Sequence, residues 1–183
     1  MKEAEKAKKT SSQKKPVATK KAKKLVVFYS RTGITRKVAN AIASALECEL
    51  EELIDKTNRQ GVKGYLAGGR DALKKSLTEI EAIKKNITDY EMIIIGTPVW
   101  AGMPAPAVRT FLSQNKDKIK KVAFFCTMGG SGNQKTIDEL NKILGTQASQ
   151  ATATATALTV LTREVVKDLH IDKVKEFARQ LMS

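Results

Sequence analysis

Several residue types on which common sites depend are scarce in this sequence. Its 183 residues include two cysteines, one histidine and one tryptophan. Cys48 and Cys126 form neither a CxxC pair nor a metal-binding pattern, and His170 has no second ligand near it in the sequence. We therefore predict no metal site, two unpaired thiols buried in a reducing cytoplasm, and His170 at the surface. No run of about 18 apolar residues occurs, so the sequence predicts no membrane span.

Acidic residues are also scarce. Asp and Glu total 19 against 33 Lys and Arg, which gives a formal net charge of +14. The segment Met1–Lys24 supplies +8 of that charge, with ten lysines, two glutamates and no aromatic residue. Such a segment buries too little apolar area to offset the entropy of ordering it. We predict a disordered basic tail over 1–24, which contacts polyanions weakly or serves only solubility, and one domain over 25–183.

The rest of the chain is organised around the stretch Leu25–Thr35. Leu25–Tyr29 is a short apolar run with strong β propensity, and apolar residues recur at helical spacing from Arg36 to Leu46. Between them lies a small polar loop that contains Gly33. The pattern predicts a strand, a tight loop and a helix. The first N–H groups of such a helix have no intrahelical partner and lie at the positive end of its dipole, so this junction suits a phosphate.

The remaining sequence alternates between predicted strands and helices. Strands are predicted at 48–54, 91–96, 122–126 and 151–161. Helices are predicted at 71–83, 107–114 and 135–144, and a last helix is predicted to be capped by Asp172. The glycine-rich segment 55–70 is predicted to be a long connection. Within it, Tyr65 is either a wall residue of a ligand site or part of a plain connector.

This alternation predicts an α/β fold, a doubly wound five-stranded parallel sheet of order 2-1-3-4-5 with helices on both faces. In that order the chain reverses direction between strands 1 and 3, and ligands bind there beyond the carboxyl ends. Three glycine- or proline-rich loops, at 30–35, 97–106 and 127–133, follow strands 1, 3 and 4. Because those strands are neighbours in this order, we predict that the three loops converge at one edge of the sheet.

The loop formed by Ser30, Arg31, Thr32, Gly33, Ile34 and Thr35 resembles the FMN-phosphate loop of the flavodoxin family, hydroxyl-x-Thr-Gly-x-Thr after the first strand. It is neither the three-glycine dinucleotide fingerprint nor a Walker loop. The segment 96–106, Gly-Thr-Pro-Val-Trp-Ala-Gly-Met-Pro-Ala-Pro, resembles the family's loop whose aromatic residue lies against the isoalloxazine. The resemblance covers residues 24–183. It implies a flavodoxin-like fold and FMN as the cofactor.

The resemblance also implies which residues contact the flavin ring. They are Thr97, Pro98, Val99, Trp100, Ala101 and Gly102 after the third strand, and Thr127, Met128, Gly129 and Gly130 after the fourth. Trp100 lies among turn residues, which favours a flavin contact over a structural role. Electron-carrier flavodoxins usually place a tyrosine on the outer ring face, where Met128 and glycines stand here. One ring face would therefore be open to a substrate or a partner.

The function implied by the resemblance is electron transfer through bound FMN, in the cytoplasm, with redox partner proteins or a small quinone-like acceptor. Two alternatives remain open, a small FMN-dependent NAD(P)H:quinone-type reductase and a flavodoxin-fold binding module without cofactor. A nucleic-acid or membrane-surface protein led by the basic tail is a third reading, but the sequence shows no nucleic-acid-binding fold. No side-chain acid or base is evident at the loops, so no catalytic residue is predicted.

Overall fold

The computed structural model describes residues 22–145 and 156–182. Most of the predicted tail, and the first half of the strand predicted at 151–161, lie outside these residues. The strands within the described part are β1 (Lys24–Phe28), β2 (Glu49–Glu52), β3 (Met92–Trp100), β4 (Met103–Pro104), β5 (Val122–Met128) and β6 (Ala157–Leu161). The helices there are α1 (Ile34–Leu46), α2 (Gly61–Leu73), α3 (Pro106–Asn115), α4 (Asn133–Leu144), α5 (Thr162–Val166) and α6 (Ile171–Gln180), with short 3-10 turns at Ile87–Asp89 and Lys116–Lys118.

Five of these strands form a parallel sheet in the order β2-β1-β3-β5-β6. Short β4 pairs antiparallel with the end of β3. The register places Val26 beside Leu50 on one side and beside Ile94 on the other, so β1 is central. This arrangement confirms the predicted doubly wound order, because β4 is only a hairpin arm added to the predicted five strands.

The central strands bury side chains on both faces of the sheet. In β1, Leu25 and Val27 pack with the cluster under α3 and α4, whereas Val26 and Phe28 pack with the cluster under α1 and α6. The same alternation continues in β3 and β5. Strands buried on both faces contain continuous apolar runs, which explains why the sequence pattern located them well.

The structure corrects the prediction for residues 55–83. The helix predicted at 71–83 is instead α2, Gly61–Leu73, and the glycine-rich part is helical. Gly64 and Gly68 lie one turn apart on its buried side. A Cβ at Gly64 would lie 2.2 Å from the carbonyl carbon of Arg59, and one at Gly68 would lie 2.7 Å from the Trp100 ring. These glycines therefore allow close packing, which outweighs their low helix propensity.

The segment after β3 is also more regular than predicted. β3 continues through Thr97 to Trp100, and a two-residue turn at Ala101 and Gly102 returns the chain into β4. Both turn residues have positive φ, 51° and 75°. Such a turn matches the twist of the two arms of a hairpin, so the loop becomes a rigid β-hairpin.

Two predictions near the carboxyl terminus are wrong. Asp172 does not cap the last helix, because α6 has His170 at its N-cap and Asp172 in its first turn. His170 itself is buried, not at the surface. The predicted inward face of this helix is confirmed, since Val174, Phe177 and Ala178 are buried.

The two cysteines are free. Cys126 is buried in β5 as predicted, whereas Cys48, just before β2, is only partly buried. Burial raises the pKa of Cys48 to about 11 and also raises the pKa of Cys126. Both thiols are therefore protonated and unreactive near neutral pH. In the part of the chain that the structure describes, no helix is both long and apolar enough to cross a membrane.

Candidate functional site

A cleft of about 170 Å³ lies where the predicted loops meet, at the carboxyl ends of β1, β3, β5 and β6. The residues around it come from five parts of the chain. Its lining residues are Arg31, Thr32, Ile34, Thr35, Tyr65, Pro98, Val99, Trp100, Thr127, Met128, Gly129 and Thr162. None of these described residues is acidic, and three of the five parts contribute threonine hydroxyls: the first loop with the start of α1, the end of β5, and the start of α5. The cleft therefore offers donors and a positive charge to an anion.

A larger groove, of about 540 Å³, lies between α1 and α6. It is lined mainly by small and aliphatic residues such as Ala41, Ala45 and Val174, and none of the loops at the carboxyl edge reaches it. Size alone would favour this groove. Of these two, the chemistry of the lining favours the smaller cleft, because it joins the N-terminus of α1 to several hydroxyl groups.

The first loop prepares the start of α1 for an anion. Gly33 has φ 88°, a left-handed conformation that favours glycine, and it occupies the N-cap position. The Ser30 hydroxyl oxygen accepts hydrogen bonds from the N–H groups of Gly33 and Arg36, at 3.1 and 3.2 Å. The N–H groups of Ile34 and Thr35, in the first turn, have no carbonyl four residues back within the helix. They are the natural donors to a phosphate at this end.

Two hydroxyl groups, one from the first turn of α1 and one from the end of β5, meet on the floor of the cleft. The Thr35 and Thr127 oxygens lie 2.9 Å apart, and both residues are buried. One hydroxyl donates to the other, which leaves the pair with one hydrogen to donate elsewhere. Thr162 adds a third hydroxyl, which donates to the Met128 carbonyl at 3.1 Å. This last bond ties the start of α5 to the end of β5.

The positive charge at the cleft comes from Arg31. Its guanidinium carbon lies 5.1 Å from the centroid of the Tyr65 ring, across the mouth of the cleft. The neighbouring Arg36 makes a bidentate pair with Glu52, at 2.9 and 2.6 Å. Hydrogen bonding to Glu52 raises the pKa of Arg36, and the carboxylate offsets its charge. Among the residues that line the cleft, Arg31 is therefore the one cation.

Trp100 lines the cleft and also packs against the hydrophobic core. Its ring packs edge-to-face against Tyr29, with centroids 5.7 Å apart, and lies against Gly68 of α2. The guanidinium of Arg59 lies 5.9 Å from its centroid. Only 8% of the residue is exposed, yet it lines the cleft. The hairpin of β3 and β4 thus holds Trp100 rigidly at the rim.

A buried ion-pair network beside Trp100 ties the segment before α2 to the last turn of that helix. Arg59 bonds to Asp55 at 2.6 Å and to Asp71 at 2.9 Å, and both Arg59 and the Asp55 carboxylate are almost inaccessible. Nearby, burial raises the pKa of the Tyr29 hydroxyl to about 12, with a further contribution from the negative charge of Asp55. The phenol is therefore neutral in the folded protein, and this network fixes the position of Tyr65 through the helix that carries it.

The structure brings ten of the sixteen predicted site residues to the cleft. The other six do not line it: Ser30, Gly33, Thr97, Ala101, Gly102 and Gly130. Ser30 and Gly33 shape the first loop, and Ala101 and Gly102 form the hairpin turn. Thr97 is buried, and its hydroxyl donates to the Pro98 carbonyl and accepts from the Ala105 N–H. Gly130 is exposed beyond the cleft.

Two lining residues were not assigned to the cofactor by the sequence pattern. Tyr65 was predicted only as a candidate wall residue, and Thr162 was not considered. Thr162 directly follows the carboxyl end of β6. The rule that placed the other loops, hydroxyl residues after a strand of a parallel sheet, would have found it. In residues 22–145 and 156–182, no group of His, Cys, Asp and Glu side chains is arranged to hold a metal ion.

Residues 23–168 match the sequence model of a family described as Flavodoxin. The chain belongs to the flavodoxin family. This assignment covers β1 to α5 and includes every strand of the sheet. A search of curated protein sequences gives no significant match.

Solved structures of other flavodoxin-like proteins have the same fold. A flavoprotein from Lactobacillus acidophilus NCFM, crystallised in complex with FMN, is 26% identical to this chain with a TM-score of 0.62. The match covers 80% of this chain and 97% of that chain. The apo form of the flavoprotein from the same organism, solved by NMR, is 27% identical with a TM-score of 0.56, over 80% and 96%. Oxidised Flavodoxin 2 from Bacillus cereus is 17% identical with a TM-score of 0.54, over 86% and 95%, and this likeness concerns the fold alone.

Proposed function

We propose that this flavodoxin-family protein binds FMN and transfers electrons through it, in the cytoplasm. The observation that carries the proposal is the convergence of the α1 N-terminus with the ends of β3 and β5 at one acid-free cleft. A phosphate needs N–H and hydroxyl donors without a carboxylate nearby, and this edge of the sheet offers that set. The similar flavoprotein from Lactobacillus acidophilus, which was crystallised with FMN, supports the same cofactor.

The phosphate end of FMN would be bound by the first loop. Donors to its oxygens would be the N–H groups of Ile34 and Thr35 and the free hydrogen of the Thr35–Thr127 pair. Arg31 stands at the mouth of the cleft, where its charge attracts the dianion. Ser30 would act indirectly, since its oxygen already accepts two N–H groups and holds the loop in shape.

The ring of FMN would be oriented by the other loops. Pro98, Val99 and Trp100 line the cleft from the end of β3, and Met128 with Gly129 line it from the end of β5. When bound, FMN supplies reversible one- or two-electron transfer. The protein excludes water on the Trp100 side, where the rim is packed against Gly68 and Tyr29.

A second candidate function is a small NAD(P)H:quinone-type reductase. The observation that favours it is the open surface at Gly129 and Gly130, where a Cβ would meet no atom within 4 Å. A small acceptor has room to approach the cleft there, whereas a bulky aromatic cover would exclude it. A flavodoxin-fold module without cofactor is the remaining alternative.

Reconstitution separates these functions. We expect the purified protein to bind FMN with a visible flavin spectrum and to bind riboflavin much more weakly, because riboflavin lacks the phosphate. Equal affinity for the two would remove the phosphate from the assignment, and failure to bind either would identify a cofactor-free module. Steady-state turnover of the FMN-loaded protein with NADH or NADPH and a soluble quinone then separates a reductase from a carrier.

A further inference from the structure

The outer side of α2 carries an exposed apolar stripe. Val62, Tyr65, Leu66 and Leu73 are 52–75% exposed. Val62, Leu66 and Leu73 are spaced four and seven residues apart, which aligns them along one side of the helix, while Gly64, Gly68 and Ala72 face the core. Several large aliphatic side chains along one exposed side of a helix are a common mark of an interaction surface.

The charges beside this stripe have one sign. Lys63, Arg70 and Lys74 are exposed, and the single acid of the helix, Asp71, bonds to Arg59 on the inner side at 2.9 Å. Arg70 keeps only a longer contact with Asp71, at 3.5 Å. The α2 face, which we define as Val62, Lys63, Tyr65, Leu66, Arg70, Leu73 and Lys74, is therefore apolar in the middle and basic at the edge.

The α2 face is continuous with the cofactor cleft. Tyr65 belongs to both, because its ring lies beneath the Arg31 guanidinium at the mouth of the cleft. A partner seated on Leu66 and Tyr65 would therefore lie close to a bound flavin. Protein-to-protein electron transfer needs such closeness, and weak redox encounters use small apolar patches with complementary charges around them.

Val166 and Leu169, on either side of Lys167 and Asp168, are exposed to a similar extent but lack this pattern. The charges between them have both signs, and the neighbouring helices α5 and α6 pack on the opposite face of the sheet from α2.

We propose that the α2 face docks an acidic redox protein that exchanges electrons with the bound flavin; this inference rests on the proposed function. A second copy of the chain fits less well. In an antiparallel α2–α2 contact about a two-fold axis, Lys63 of one copy would face Arg70 and Lys74 of the other, and like charges repel. A partner whose contact surface is apolar at the centre and carries carboxylates around it would match both the apolar middle and the basic edge of the α2 face.

The test uses the full-length, FMN-loaded protein and two one-electron donors of opposite charge. They are a reduced acidic plant-type [2Fe–2S] ferredoxin and reduced cytochrome c, which is basic, each mixed with the protein by stopped flow at low and high salt. Two donors are oxidised for each flavin that takes up two electrons and one solvent proton. Where a donor's potential does not favour reduction, the reverse reaction is followed from photoreduced protein. Flavin loading of every variant is measured first, so a failure of FMN binding is recognised separately.

Four variants form two matched pairs. Leu66→Ser is compared with Leu169→Ser, because both leucines are 65% exposed. Lys63→Glu is compared with Lys142→Glu, an exposed position near the end of α4, because both change the net charge equally. We expect the ferredoxin rate to fall on the order of tenfold in Leu66→Ser and Lys63→Glu and to change little in the two controls. We also expect high salt to slow the ferredoxin reaction and Lys63→Glu to speed the cytochrome c reaction.

Three results would overturn the proposal. Equal effects of Lys63→Glu and Lys142→Glu would show that overall charge, and not the α2 face, governs the encounter. A dimer in sedimentation velocity that Leu66→Ser dissociates would identify a second copy as the occupant. Binding to vesicles of phosphatidylglycerol and phosphatidylcholine that is lost in Leu66→Ser, with unchanged ferredoxin rates, would identify a lipid surface.

Discussion

The hydroxyl oxygens of Thr35 and Thr127, 92 residues apart in the chain, lie 2.9 Å from each other on the floor of the cleft. One belongs to the first turn of α1 and the other to the carboxyl end of β5. Because β3 lies between β1 and β5 in the sheet, the hydrogen bond ties the first loop to the third across the ligand edge. The same two groups therefore brace the site and supply a donor to it.

Removal of both hydroxyls should weaken FMN binding. In the double variant Thr35→Val, Thr127→Val the side-chain volumes are nearly kept, while the donor to the phosphate is lost. The loss of a charged hydrogen bond costs about 1.5–3 kcal/mol, or roughly ten- to hundredfold in Kd. Titration of the apoprotein with FMN measures the change. Thr136→Val is the control, because the Thr136 hydroxyl is buried in α4 without a partner; an equal loss in that variant would argue against a specific role for the pair.

Quenching of Trp100 should report cofactor binding. Trp100 is the only tryptophan and lines the cleft, so its fluorescence should fall strongly when FMN binds and return when FMN is removed. The variant Trp100→Phe should keep FMN binding, because the phenyl ring retains most of the packing against Tyr29 and Gly68. Its visible flavin spectrum should nevertheless shift. If FMN binds fully but the Trp100 fluorescence is not quenched, Trp100 belongs to the core and does not contact the flavin.

A methyl group at Gly68 should destabilise the fold. The added Cβ would lie 2.7 Å from the Trp100 ring, so the helix or the ring must move, at about 1–3 kcal/mol. Gly69→Ala is the matched control on the same helix, because a Cβ there meets no atom within 4 Å. Since alanine favours helix more than glycine does, Gly69→Ala should raise stability by about 0.5–1 kcal/mol. Urea unfolding of both variants checks that their free energies of unfolding change in opposite directions. Equal changes would contradict the close packing of α2 on Trp100.

Stability should fall with rising pH between about 10 and 12, partly through Tyr29. Burial raises the pKa of its hydroxyl to about 12, whereas the unfolded chain keeps a value near 10. In that window the unfolded state has released the proton and the folded state still holds it, so each step in pH favours unfolding. In Tyr29→Phe this part of the slope should vanish. Chemical unfolding of both proteins across the window gives the difference, and identical slopes would mean that Tyr29 ionises normally.

Deletion of residues 1–21 should leave the cofactor site unchanged. The segment precedes β1, whose amino end lies away from the cleft at the opposite edge of the sheet. We expect nearly the same FMN affinity and melting temperature. Binding to heparin should weaken, with a shallower salt dependence, because fewer lysines displace counterions. Loss of flavin on deletion would show that the segment contributes to the site, and unchanged heparin retention would assign anion binding to the folded domain.

The sequence was sufficient for features that depend on local pattern. Continuous apolar runs located β1, β3 and β5, because strands covered on both faces need apolar side chains throughout. The small polar residues after β1 and β5 identified the loops there, and the regular alternation of strands with helices implied the sheet order. These signals are short-range, so a single sequence contains them in full.

Only the tertiary structure decided the features that depend on contacts between distant residues. The glycines of α2 weaken a helix locally, and their fit against Arg59 and Trp100 is visible only when those partners are placed. For the same reason the sequence pattern missed that Trp100 is shared between core and cleft. Helix propensity acts over a few residues, whereas packing against another element depends on the whole fold, and at α2 the packing prevails.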